Sequence, residues 1–502
     1  MSSQSLEIEG GRIAVPAPDA IGVRAYRGLP YAAAPVGPLR WRPPAPVVAW
    51  GGVRSADRFS ANAMQGIVFD DIDPSVHGVS EDCLYLNVWT PANPAETKGL
   101  PVLFWIHGGG FAVGSGSEPR YDGARLAARG FVVVTVNHRL GAFGFLAHPD
   151  FTAESEHRAS GNYGMLDLVA ALRWVRRNIA AFGGDPGAVT IAGESAGSMA
   201  VSALMASPMA KGLFARAIGQ SGALFPSPAR ALQRRPQAER EGAEFARTLG
   251  AKSAADLRAL PAEAIVAAEP GIRFFPIVDG WFLPKPVAEI FAAGEQTDVP
   301  LMAGWNKDEG FNFALSQLRP ENAARPYAEI VRGMLGDRAE EALRHYPSGA
   351  PERDTISGRD LGGDLIIAHS TWAWIEAQKA SGKAPVWRFR FDRAPLTPQG
   401  WFGERDTREA GAFHAGELLY VFDTLDAFPW IIEGEDRELA KLTTGYWLNF
   451  VKSGDPNGPG LPSWPSYREP GAAVMHLDHL PTVQPEAGRE RHVFLRDAAR
   501  RE

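Results

Sequence analysis

One cysteine occurs in 502 residues, so no disulfide can close within the chain and the fold must be held by its core. A basic block is also missing. The 51 Lys and Arg stand against 58 Asp and Glu, and a formal charge of −7 repels a phosphate backbone, so nucleic acid is not an expected partner. The longest apolar runs, such as Phe131-Val132-Val133-Val134, are strand-sized, and no membrane span is expected. The segment Met1-Ser2-Ser3-Gln4-Ser5-Leu6-Glu7-Ile8-Glu9 has neither the basic start nor the apolar centre of a secretory signal; with one cysteine, this favours a cytoplasmic location. No G-x-x-x-x-G-K-[ST] loop, internal repeat or low-complexity tract is present. What remains is 45% hydrophobic and 22% charged, ample for a large globular core.

The most informative positive feature is Gly193-Glu194-Ser195-Ala196-Gly197, set between the apolar run Ala188–Ala192 and a helix-compatible stretch from Ser198 to Ala206. A strand turning abruptly into a helix crowds its flanking positions, which glycine relieves, and forces the serine into strained backbone with its hydroxyl exposed. The first helical turn adds unpaired N–H groups and a positive dipole end. Upstream, the strand-like Leu100–Ile106 runs into His107-Gly108-Gly109-Gly110-Phe111. Backbone N–H groups of Gly108, Gly109 and Gly110, joined by that of Ala196, can hold a carbonyl oxygen as it becomes an oxyanion.

Such a serine needs a base. Of eleven histidines, His107 reads as structural, His138 and His148 flank a compact apolar segment, and His414 lies in a glycine-bounded loop, Gly411-Ala412-Phe413-His414-Ala415-Gly416, where catalytic groups tend to sit. The orienting acid should fall between serine and histidine in the chain. Asp308 and Glu309 follow the strand-like Val299–Gly304, and from a strand end two adjacent carboxylates cannot both face one imidazole. A third carboxylate, Asp279, precedes Gly280 and reads as a turn residue.

These motifs, with Tyr26-Arg27-Gly28-Leu29-Pro30, Ser80-Glu81-Asp82-Cys83-Leu84-Tyr85-Leu86-Asn87, Gly161-Asn162-Tyr163-Gly164 and Gly454-Asp455-Pro456-Asn457-Gly458, make the chain resemble the type-B carboxylesterase family along most of its length. That family contains cholinesterases and bacterial p-nitrobenzyl esterases. The resemblance implies an α/β-hydrolase fold, a large, mostly parallel twisted sheet flanked by helices, with helical caps over the site. It selects Glu309 as the acid beside Ser195 and His414, and implies ester hydrolysis through an acyl-enzyme with neither metal nor organic cofactor. Glu194 and Ser221 take the places of active-site support residues, and Arg40 and Glu81 those of a structural ion pair. Phe274 and Phe275 fall in a region that often lines the acyl pocket; Trp401 and Phe402 are candidates for the alcohol-side wall.

Departures from the family pattern are equally specific. Ala63 stands where a partner for Cys83 is expected, which predicts an inert buried thiol and a rim loop, from about 64 to 80, looser than in secreted relatives. Asp73 replaces the tryptophan that cholinesterases use to stack on quaternary ammonium, and Asp70, Asp71 and Asp73 read as solvated surface charge.

The chain-wide expectation is one α/β domain over residues 1–502, with caps at 225–295 and 311–380 and strands near 101–106, 131–137, 188–192, 215–219, 299–304 and 386–391. The best helix covers 163–181, its apolar stripe interrupted by Arg173. The expected partner is a small-molecule ester, and the expected assembly a monomer or homodimer. Amide or carbamate hydrolysis by the same residues is the alternative, and a non-catalytic binding role a more distant one.

Overall fold

A run such as Val132-Val133-Val134-Thr135-Val136, β-branched at every position, suits a strand covered on both faces, and all five residues are buried. A computed structural model describes residues 5–69, 71–92, 99–269, 274–311, 325–402, 410–469, 471 and 473–499. The chain divides into two compact units, one of residues 1–218 and 232–297, the other of residues 219–231 and 298–502.

In the first unit, β1 (Val23–Pro30), β2 (Tyr85–Pro91), β3 (Leu100–Ile106), β4 (Val132–Val136) and β5 (Gly184–Glu194) lie in the order β5-β3-β4-β2-β1. The β5–β3 and β3–β4 pairs are parallel, with Val189 opposite Val102 and Val102 opposite Val132; β2 pairs antiparallel with β4 and β1. Each fully buried Val, Leu, Ile or Phe contributes roughly 1.5–3 kcal/mol, so the central strands form the rigid floor on which loops at their carboxyl ends are held. Helix α1 (Tyr163–Asn178) ends in a 3-10 turn over Ile179–Phe182. Arg173 is exposed, so it lies outside the buried stripe rather than interrupting it. Asp167 on the inner face binds the Arg139 guanidinium at 2.6 and 2.8 Å. Helices Arg235–Thr248, Ala254–Ala259, Ala262–Ala267 and Val287–Ala292 fall within the segment 225–295, of which residues 270–273 lie outside the described residues.

Strand β6 (Arg216–Gln220) carries the chain from the first unit into the second. The second unit holds β7 (Leu301–Asn306), β8 (Val386–Phe391), β9 (Ala473–Leu477) and β10 (Thr482–Pro485) in sequential order. The pairs β7–β8 and β8–β9 are parallel, while β10 returns antiparallel to β9. Helix α2 (His369–Ser381) packs on β7 and β8, and α3 (Gly434–Ser453) begins with a capping box of Glu433 and Asp436. Residues 312–324 of the segment 311–380 lie outside the described residues.

Candidate active site

Strand β5 ends at Glu194, and Ser195 is the N-cap of the entirely buried helix Ala196–Ala206. Its backbone sits at φ 54° and ψ −120°, a conformation that costs a non-glycine residue roughly 1–3 kcal/mol and persists only where its surroundings impose it. Those surroundings are tight. A Cβ on Gly193 would stand 2.5 Å from the Gly197 carbonyl carbon and 2.8 Å from the Ile106 oxygen, and one on Gly197 would stand 2.8 Å from the His107 oxygen. Both glycines of the motif are therefore demanded by packing. Ala196 opens the helix, so its N–H has no intrahelical acceptor.

The glycine loop after β3 lies against this elbow, because a Cβ on Gly108 would be 3.2 Å from the Ser195 Cβ and 2.5 Å from the Glu194 carboxylate. Gly109 and Gly110 have φ of 99° and 65°, and the Gly109 carbonyl accepts from the N–H groups of Ala112 and Val113 at 3.0 Å. Thus Ser195, Gly108, Gly109, Ala196 and Glu194 are brought together in the first unit. His107, expected to be structural, is buried and stacked on His138 with centroids 4.9 Å apart. Burial lowers the two imidazoles to about 4 and about 3, so both are neutral near pH 7.

The paired phenylalanines part company. Phe274 is buried edge-on against Phe245 of a helix, whereas half-buried Phe275 packs edge-on against Phe111 at the end of the glycine loop. Phe275 therefore touches the end of the oxyanion loop.

In the second unit, His414 Nδ1 lies 2.6 Å from Glu309 Oε2, and Glu309 Oε1 accepts from the Asn306 N–H at 2.7 Å. The neighbouring carboxylates divide as strand geometry requires. Asp308 accepts from the Ala412 N–H at 2.9 Å, returns a bond from its own N–H to the Ala412 carbonyl, and meets Arg359 at 3.0 Å. One carboxylate thus binds the imidazole while the other clamps the loop that carries it. Gly411, at φ 62°, is required because a Cβ there would overlap the Asp308 carboxylate.

Another carboxylate beside the pair, Glu417, was not singled out from the sequence. Glu417 is buried and accepts from Asn306 Nδ2 at 2.6 Å and from Gln220 Nε2 at 2.9 Å; Asn306 Nδ2 also donates to the Phe413 carbonyl, and Gln220 Oε1 accepts from the Trp447 indole. Burial raises the Glu417 carboxyl, Glu309's charge adds to this, and the two amide bonds pull the other way. The available signal was polar residues beside apolar runs: Gln220 after Ala217-Ile218 and Glu417 before Leu418-Leu419-Tyr420-Val421. Ser221 is buried at φ 57°, its N–H donating to the Gly304 carbonyl at 2.9 Å.

Phe402 packs edge-on against Phe413, the residue before His414, and against Phe311. Trp401 packs on Phe428 and Trp430, and Trp430 in turn lies edge-on against Phe413.

The remaining expectations concern structure. Asp279 caps its turn, accepting from the N–H groups of Trp281 and Leu283 at 3.1 and 2.9 Å. The Arg40–Glu81 ion pair forms at 2.6 Å from Nε. Cys83 is buried, and burial pushes its thiol up. Without a disulfide, the rim loop is closed at its base by a short parallel pairing of Asn62–Ala63 with Val79–Ser80. Asp73 is exposed and binds Ser75; Asp71 is exposed too, as expected of surface charge, and its carboxylate also lies 3.0 Å from the buried Arg120 guanidinium, whose desolvation calls for such a partner. Asp70 lies outside the described residues. Among the described residues, no group of three or more His, Cys, Asp or Glu could hold a metal ion, and no helix is long and apolar enough to cross a membrane.

The sequence profile of the carboxylesterase family matches residues 4–494. The chain is 36% identical over 496 residues to the para-nitrobenzyl esterase of Bacillus subtilis (strain 168), covering 94% of this chain and 95% of that protein. It is also 36% identical over 463 residues to the fumonisin B1 esterase of Sphingopyxis macrogoltabida, covering 89% and 82%. A solved PNB esterase structure superposes with a TM-score of 0.82 at 35% identity, covering 98% of this chain and 100% of that one. The chain belongs to the carboxylesterase family and is a carboxylic ester hydrolase of the α/β-hydrolase fold.

Proposed function

We propose that the chain hydrolyses small carboxylic esters through an acyl-enzyme on Ser195, with His414 as general base and acid and Glu309 as the orienting carboxylate. The observation that carries this reading is the strained Ser195 backbone, imposed by glycine packing beside Gly108 and the helix start. Strain kept at a half-buried serine between a strand end and a helix start is the mark of a side chain held for chemistry. The 2.6 Å Glu309–His414 contact supports the base assignment, since a carboxylate on Nδ1 fixes the tautomer that leaves Nε2 free to accept a proton.

In the first half-reaction, His414 takes the hydroxyl proton as Ser195 attacks the carbonyl, and Glu309 stabilises the imidazolium. The carbonyl oxygen, now negative, accepts from the N–H groups of Gly108, Gly109 and Ala196. His414 then returns the proton to the departing alcohol, and water repeats the sequence on the acyl-enzyme. Positioned proton transfer contributes on the order of 10²–10⁴ in rate, and each oxyanion donor about 10²–10³. We assign Glu194 and Ser221 to support of the site, Phe275 to its acyl side and Phe402 to its alcohol side. A lone, buried cysteine needs no oxidising compartment, and we place the activity in the cytoplasm.

The test is hydrolysis of p-nitrophenyl acetate, butyrate and octanoate, p-nitrobenzyl acetate and matching anilides by wild type, Ser195→Ala and Glu309→Gln. Ester turnover should vanish in the first variant and fall roughly 10³–10⁴-fold in the second. Mass spectrometry should find a diethyl phosphate reagent on Ser195. Undiminished turnover in Ser195→Ala refutes the nucleophile, and faster anilide than ester cleavage would make the enzyme an amidase.

A further inference from the structure

The peptide that joins Gly108 to Gly109 presents a donor at one end and an acceptor at the other. Its N–H, on Gly109, is one of the assigned oxyanion donors. Its carbonyl oxygen, on Gly108, lies 2.8 Å from Nδ1 of His107. A carbonyl can only accept, so Nδ1 carries the proton.

We infer that His107 is a positioning residue of the oxyanion hole: its Nδ1–H bond to the Gly108 carbonyl fixes and polarises the peptide whose other end presents the Gly109 N–H to the developing oxyanion. The inference rests on the reaction proposed above and adds to it a group that never touches substrate.

Three features converge on this role. The loop has little conformational preference of its own, because three consecutive glycines tolerate many φ values, so an outside restraint must decide where the N–H points. The ring supplying that restraint cannot swing: it is buried and stacked within 10° of parallel on His138, whose own Nδ1 is tied to the Arg139 carbonyl at 3.0 Å. Space for the bond is reserved by Gly114, at φ 111°, where a Cβ would stand 2.5 Å from His107 Nδ1 and 2.7 Å from the Gly108 oxygen. Gly114 is itself clamped to Gln65 by bonds of 2.8 and 3.0 Å. A hydrogen bond accepted at the carbonyl end of a peptide strengthens the donor at its nitrogen end, since bonds in a chain polarise one another. Burial keeps the stacked rings neutral, so the restraint is a fixed dipole rather than a rival charge.

The deciding variants are His107→Phe, which keeps a ring to stack on His138 but removes the donor, and His107→Asn, which puts an amide N–H near the place of Nδ1. Turnover of p-nitrophenyl butyrate is measured with reactive serine counted by diethyl p-nitrophenyl phosphate. Inhibition by a trifluoromethyl ketone, whose serine adduct carries the oxyanion, is compared with that by the matching methyl ketone. His107→Phe should lower kcat on the order of 10²-fold per reactive serine with KM within about threefold, and weaken only the trifluoromethyl ketone by a similar factor. His107→Asn should recover kcat to within about tenfold of wild type. A loss carried by KM, equal weakening of both ketones, or an Asn variant no better than Phe overturns the inference.

Should His107→Phe give no titratable protein, two-bond ¹H–¹⁵N spectra of histidine-labelled wild type decide. An Nδ1–H ring that shifts on formation of the ketone adduct supports the role; an Nε2–H ring overturns it. Full turnover by Ser195→Ala would instead overturn the serine reaction, whereas intact serine chemistry with unimpaired His107→Phe removes only this inference.

Discussion

Replacing Ser195 by glycine should make the protein more stable than replacing it by alanine, although both changes abolish ester turnover. At φ 54° and ψ −120° a Cβ is strained by roughly 1–3 kcal/mol, and glycine relieves that strain. Glycine also frees the unfolded chain, which offsets about 0.5–1 kcal/mol of the gain. The Gly variant should therefore exceed the Ala variant by about 1 kcal/mol, and by no more than about 2.5 kcal/mol. Both lack the hydroxyl, so their difference isolates the backbone term from any bond that Oγ makes. Urea unfolding with matched m-values measures it directly. For a cooperative unit of about 150–250 residues, each kcal/mol corresponds to roughly 2–4 °C in Tm. A Gly variant no more stable than the Ala variant would refute the claim that packing around Gly193, Gly197 and Gly108 holds the elbow under strain.

Two further outcomes follow from buried groups. Ala63→Cys should pair with Cys83, since both positions are buried and Ala63 opposes Ser80 at the base of the rim loop; closing about 20 residues should add about 3 kcal/mol under oxidising conditions, and two free thiols on titration of the unfolded protein would disprove it. The stacked pair His107 and His138 should make the fold acid-sensitive. Their folded pKa values, about 4 and about 3, lie below the ordinary imidazole value, so the unfolded chain binds more protons below about pH 6.5 and stability falls as pH drops from there toward 4. Complete titration of His107 alone corresponds to roughly 3 kcal/mol, and His138→Phe should remove about one proton from the slope of urea midpoint against pH. An unchanged slope contradicts the neutral-stack assignment.

Local chemistry was legible along the chain. The elbow announced itself because strand, glycines, serine and helix are consecutive, and β4, β5, β7 and β8 begin and end within a few residues of the expected runs. The strand-end argument that Asp308 and Glu309 must face different ways also needed no fold, though choosing Glu309 came from family likeness rather than from its surroundings. Periodicity missed the strands β1, β2, β9 and β10, and it misread the edge of α1's stripe, because hydrophobic spacing cannot tell a stem lying at the rim from one lying in the core.

What the sequence by itself determined, then, is everything set by neighbours in the chain: the strand-to-helix turn at Ser195, the glycine loop at 108–110, the lone thiol and the absence of any basic block or membrane-length apolar run. Only the tertiary structure decided the contacts between residues far apart. Glu417 receives Gln220 and Asn306 from 197 and 111 residues away, Asp71 finds Arg120 at a separation of 49, and Phe274 turns to a helix while Phe275 turns to the glycine loop. The physical reason is the same in each case. A buried polar or aromatic group is placed by whichever partner satisfies it after the chain has collapsed, and sequence spacing carries no record of that partner.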